Sequence, residues 1–122
     1  MKALAMSRGI VVLDENLLSL ETHLQKRNMR VIKPIAGMTD DTIAEALASG
    51  RVLITNNSKD FLQLAIDFEF GIIATEKGPA DDASLAKAIS SAITAHSLWA
   101  KKGAFVTTLK KDGTSTFKEL KD

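Results

Sequence analysis

Three short apolar runs, Ile10-Val11-Val12-Leu13, Val52-Leu53-Ile54 and Gly71-Ile72-Ile73-Ala74, constrain this chain more than any other feature, and sequence with a helical period follows each of them. A strand wet on one face alternates apolar and polar side chains, whereas a strand covered on both faces reads as a continuous apolar run. Parallel strands need a crossover between them, and the helical stretches supply one. The expectation is an α/β fold around a mainly parallel sheet.

The remaining elements fall into place around those runs. Asn16 opens a helical pattern with Leu17, Leu20 and Leu24 on one face, Lys26 and Arg27 in its last turn and Asn28 as C-terminal cap; Arg30 to Ile32 is a short second strand closed by Pro34 and Gly37. Thr39 reads as an N-cap, with Asp40 and Asp41 in the first turn ahead of Ile43, Ala44 and Leu47, and Gly50 as the stop. Ser58 is placed to cap a helix through Ile66. A longer helix is expected from Ala83 to Ala100. Ala104 to Leu109 and Ser115 to Leu120 then pair across Asp112-Gly113, a hairpin signal.

Composition narrows the function classes. A chain of 122 residues with 45% hydrophobic content is expected to form a single domain over 1–122. The formal charge of +1 neither demands nor excludes a nucleic-acid partner. Cysteine is absent, which rules out thiolate nucleophiles, disulfides and zinc–sulfur sites. No apolar run reaches the length of a membrane span and the first nine residues lack an apolar signal core, so a soluble cytoplasmic protein without membrane contact is expected. Lys101, Lys102, Lys110, Lys111, Lys118 and Lys121 crowd the C-terminal stretch, where they either attract phosphate or guard an exposed strand edge.

Chemistry is expected where the apolar runs end. Open α/β sheets bind ligands outside the carboxyl ends of their strands, and the first run breaks directly into Asp14-Glu15-Asn16. Neighbours in extended chain face opposite sides, so Glu15 either shares the crevice of Asp14 or points away from it. A cap on the first helix explains Asp14 equally well. The third strand runs into Thr55-Asn56-Asn57-Ser58-Lys59-Asp60, and Asp40 and Asp41 sit at a helix start that a parallel crossover brings to the same edge. Helix-dipole stabilisation, about 0.3 to 1 kcal/mol, is by itself enough to account for that acidic pair. Carboxylates gathered at one edge repel unless a cation bridges them, and Mg²⁺ or Mn²⁺ prefers hard oxygen ligands. His23 and His96 lack partners at ligand spacing, and no glycine-rich phosphate loop is present. Trp99, Phe105 and Phe117 suit core packing better than base stacking in a chain so poor in aromatics.

Three segments, Val12-Leu13-Asp14-Glu15-Asn16-Leu17, Thr39-Asp40-Asp41-Thr42-Ile43 and Val52 to Phe61, together resemble the PIN-like fold, in particular short proteins related to VapC-type toxin ribonucleases. The likeness spans about residues 10–74. It implies a three-layer α/β/α sandwich and an Mg²⁺- or Mn²⁺-dependent endoribonuclease that hydrolyses RNA phosphodiesters, with an antitoxin and a second copy of the chain as partners. Asp14, Asp40 and Asp60 are the metal-binding and catalytic acids by that resemblance, with Thr55 and Asn57 orienting them and Asp41 and Glu15 as substitutes. Two departures stand out. Many of these proteins carry an acid where Asn57 stands, and the C-terminal helix and lysine-rich hairpin have no clear counterpart. A PIN-like binding or regulatory module without catalysis is therefore the competing expectation, and a phosphoacceptor protein with only Lys77 as its doubtful lysine comes third.

Overall fold

A computed structural model describes residues 10–33 and 51–121. They form six strands: β1 Ile10–Leu13, β2 Arg30–Ile32, β3 Val52–Thr55, β4 Gly71–Ala74, β5 Phe105–Leu109 and β6 Ser115–Glu119. The strands make one sheet in the order β2-β1-β3-β4-β5-β6. The first five run parallel, and β6 returns antiparallel to β5. Val11 faces Val31 on one side and Val52 on the other, so the chain leaves β1 in one direction and comes back past it to build the rest of the sheet. That reversal is the topological switch at which α/β sheets open a crevice. The expected segment with Thr39, Asp40 and Asp41 lies outside the described residues.

The uninterrupted apolar character of the strands has its cause in burial on both faces. Val11 and Leu13 belong to one cluster with Leu20, Leu24 and Ile89, while Val12, between them, belongs to a second with Leu53, Phe61, Ala65 and Ile72. A period of two sends alternate side chains to opposite faces, so a strand with a core on each side has no polar positions.

Helical segments depart from expectation in instructive ways. The stretch after β1 starts as a 3₁₀ turn, Glu15–Leu20, and becomes α-helical only in α1, Glu21–Gln25. The stretch is not one regular turn, since Leu17 at φ −121° and ψ 21° breaks it, whereas Leu20 and Leu24, four apart, are both fully buried on the helical face. Asn28, at φ 66°, ends this segment in the left-handed region that asparagine tolerates. After β3 the chain again makes a 3₁₀ turn, Ser58–Phe61, before α2, Leu62–Phe68, which runs past the expected end at Ile66. The Ser58 side chain does not cap that helix; its hydroxyl is drawn instead to Glu76, eighteen residues on. The long helix, α3, spans Asp82–Ala95 rather than continuing to Ala100. Ser97 at φ 51° breaks it, and a separate turn, Leu98–Ala100, puts Leu98 into the core.

The hairpin side of the sheet is held by aromatics. A Cβ on Gly71 would meet the ring of Phe105, its partner across the sheet, at 2.1 Å, so β4 has no side chain at the point where that ring crosses it. Phe105 packs on Phe117 at 5.4 Å between centroids, His96 stacks on the same ring at 5.8 Å, and Lys101 lies 5.0 Å from its centre. His96 also reaches Ser115 at 2.9 Å. Trp99 and Phe117 are partly buried against the core, in keeping with packing roles. Among the described residues no helix is long and apolar enough to cross a membrane.

Candidate functional site at the strand ends

The parallel sheet brings the carboxyl ends of β1, β3 and β4 to one edge. At the end of β1 the amide of Asp14 donates to the Ile54 carbonyl of β3 at 3.0 Å, which carries the sheet pattern one residue beyond the strand. Its carboxylate is then used twice. Oδ1 accepts the Asn16 amide at 3.3 Å, the helix-cap contact expected of it. Oδ2 accepts the Thr55 hydroxyl at 2.6 Å, a bond between residues 41 apart in the chain. The cap contact thus uses one oxygen of Asp14 and the cross-strand bond to Thr55 uses the other.

Thr55 is fully buried, and its hydroxyl and carbonyl are both occupied. Its hydroxyl gives its proton to Asp14 and accepts the Asn57 amide at 3.0 Å. Its carbonyl accepts both the amide of Thr75 at 2.9 Å and the Thr75 hydroxyl at 3.2 Å, which joins β3 to the end of β4. A buried hydroxyl bonded on both sides is locked in one rotamer, so the Asp14 carboxylate it holds has a defined orientation. Beyond Thr55 the chain turns outward. The Asn57 side-chain amide donates to Asp60 Oδ2, and the Asp60 amide donates back to the Asn57 carbonyl at 3.2 Å. Asp60 and Asn57 are both exposed, whereas Asp14 is half-buried.

One member of this edge was not singled out in the sequence. Glu76, two residues beyond β4, accepts the Ser58 amide at 3.0 Å and the Ser58 hydroxyl at 2.5 Å with a single oxygen. A usable signal was present, since Gly71-Ile72-Ile73-Ala74-Thr75-Glu76 is the same apolar run breaking into an acid that marks Asp14. The residues expected at the site divide accordingly. Asp14 with Thr55, and Asn57 with Asp60, are joined by hydrogen bonds; Glu15 is exposed in the first turn after β1; Asp40 and Asp41 are outside the described residues. Among the described residues no group of three His, Asp or Glu side chains is arranged to hold a metal ion.

A second concavity, of about 550 Å³, opens between the start of α3 and the β5–β6 turn, with Ser84, Lys87, Lys111 and Thr114 among its walls. Its two acids are committed locally. Asp81 accepts the Ser84 amide at 2.9 Å, and Asp112 accepts the Thr114 hydroxyl at 2.6 Å and the Thr114 amide at 3.0 Å. Those bonds to Ser84 and Thr114 hold the two carboxyls below their ordinary value.

In comparisons with known proteins, no family model, no curated protein and no solved structure matches this chain.

Proposed function

We propose that this chain is a PIN-like endoribonuclease of three-layer α/β/α architecture, dependent on Mg²⁺ or Mn²⁺ and acting on RNA phosphodiesters in the cytoplasm. One observation carries the reading: the bond from buried Thr55 to Asp14 across β1 and β3, at the switch point of the sheet. A strand-end acid that needed only to cap a helix would have no use for a second, fully buried partner from another strand. Asp14 and Asp60, with Asp40, are the proposed ligands, with Thr55 and Asn57 as orienting groups. The cation supplies polarisation of the phosphodiester and a water of lowered pKa. The chain's own part is positional: Thr55, buried in β3, fixes one oxygen of Asp14, and Asn57 steadies one oxygen of Asp60. An antitoxin and a second copy of the chain are the proteins to look for as partners.

The test is RNA cleavage by the wild-type chain with and without Mn²⁺, set against D14N. Divalent-dependent cleavage lost in D14N, with a cooperative unfolding transition retained, supports the reading; full cleavage by that variant rejects it. A second reading, a PIN-like binding module without catalysis, is favoured by the neutral amide of Asn57, which engages one oxygen of Asp60. Calorimetric titration with Mn²⁺ separates the two: the module takes up no metal at Asp14, and RNA binding persists without cleavage.

A further inference from the structure

We infer that Glu76 is a positioning residue for this site, setting the pose of the Asn57–Asp60 pair through Ser58; the inference rests on the proposed metal-dependent reading. The turn that carries Asn57 and Asp60 leaves the sheet at Thr55 and is exposed, so the strand alone does not determine where Asp60 points. Two anchors do. At its start, the Asn57 amide is held by the Thr55 hydroxyl at 3.0 Å. One residue later, the Ser58 amide and hydroxyl both converge on Glu76 Oε2, at 3.0 and 2.5 Å. Bonds to an ionised acceptor are about twice as strong as neutral ones, and two donors on one oxygen define a direction as well as a distance.

The origin of each anchor matters. Thr55 belongs to β3 and Glu76 to the end of β4, and those strands are paired in register from Val52–Gly71 to Thr55–Ala74. Thr75, next to Glu76, is itself tied to the Thr55 carbonyl through its amide and hydroxyl. Glu76 is thus referenced to the residue that holds Asp14. The path from Asp14 through Thr55, Thr75 and Glu76 to Ser58 closes on the Asn57–Asp60 turn from its far side. Groups that orient metal ligands from outside are typically worth 10 to 100-fold in metal affinity or activity. Glu76 Oε2 carries both Ser58 donors, and that double engagement is the basis of the positioning role.

The experiment uses the full chain, ¹⁵N-labelled, as wild type, E76Q and E76A. Amide exchange of Ser58 and the amide resonances of Asn57 and Asp60 are read without metal, and Mn²⁺ half-saturation is then read by titration. The expected result is loss of Ser58 protection and displaced Asn57 and Asp60 resonances in E76A, with Mn²⁺ half-saturation raised about 10-fold. E76Q keeps an acceptor for Ser58 and should fall between E76A and wild type, and Asp14 resonances should stay in place in both. Unchanged exchange and half-saturation in E76A overturn the inference. Equal damage from E76Q and E76A, with Ser58 still protected in E76Q, also overturns it, because Glu76 would then act through its charge. If wild type takes up no Mn²⁺, the metal-dependent reading fails instead, and the metal-free exchange still decides whether Glu76 sets the turn.

Discussion

The two ends of the sheet's carboxyl edge use the same kinds of side chain in opposite ways. Around β5 and β6 the acids serve their own turns: Asp81 reaches three residues ahead and Asp112 two. Around β1, β3 and β4 the polar groups reach across the fold, Thr55 to Asp14 over 41 residues and Ser58 to Glu76 over 18. Local bonds of the first kind form wherever the turn forms, and they stabilise only that turn. Bonds of the second kind exist only when the whole sheet is assembled, so they tie side-chain geometry to the fold. A site whose groups must be held to within a fraction of an ångström needs that kind of support.

Substitutions sharpen or break this contrast. The largest effect is expected for D14N, which should abolish divalent-dependent RNA cleavage while the chain still folds cooperatively, with a loss of about 1 kcal/mol because Asn keeps only one of the two acceptors of Asp14. Next is T55V, which conserves shape but removes the donor to Asp14 and the acceptor of the Asn57 amide. Urea denaturation should register a loss of about 1 to 3 kcal/mol, the worth of two lost hydrogen bonds of which one runs to a carboxylate, accompanied by weaker Mn²⁺ binding. An unchanged stability in T55V would mean that the cross-strand network carries no more than a local turn does. Thr107 of β5 offers a counter-case, since its hydroxyl is buried with no hydrogen-bond partner among the described residues. T107V should be neutral or stabilising by up to about 1 kcal/mol in the same assay.

The smallest effect belongs to the local acids. Asp81 and Asp112 have carboxyls lowered from 3.8, chiefly by the bonds from Ser84 and Thr114 respectively. A lowered folded-state pKa means that the unfolded chain takes up protons first as pH falls. The stabilisation is thus complete above the unfolded value of 3.8 and is lost as pH drops below it through the folded value. The double variant D81N/D112N should unfold in acid with a shallower pH dependence below 3.8 and clear RNA as wild type does at neutral pH. Both side chains are fully exposed, so added salt should blunt the difference.

Most strands were readable in advance because burial on two faces leaves an apolar run with little ambiguity, as in Val52–Thr55 and Gly71–Ala74. The hairpin was readable because Gly113, at φ 89°, adopts the backbone that Asp-Gly announces. Helix bounds were less so. The period of Leu17, Leu20 and Leu24 fits a helix in general but does not say that the first turn is 3₁₀, and nothing local marks Ser97 as a break. At the site, Asp14 and Asp60 are legible as acids after strands, whereas the role of Glu76 is not, because Ser58 reads locally as a helix cap and its bond to Glu76 forms only when β3 and β4 pair.

From the sequence alone follow the strands, the parallel sense of the core, the cap contact of Asp14 and the exclusion of cysteine chemistry, because each depends on residues a few positions apart or on composition. Only the tertiary structure decided that β1 lies beside β3 and β3 beside β4, and hence that Thr55 meets Asp14 and Ser58 meets Glu76. Strand order emerges from the packing of the whole chain, and no local pattern of residues encodes which strand end will stand next to which.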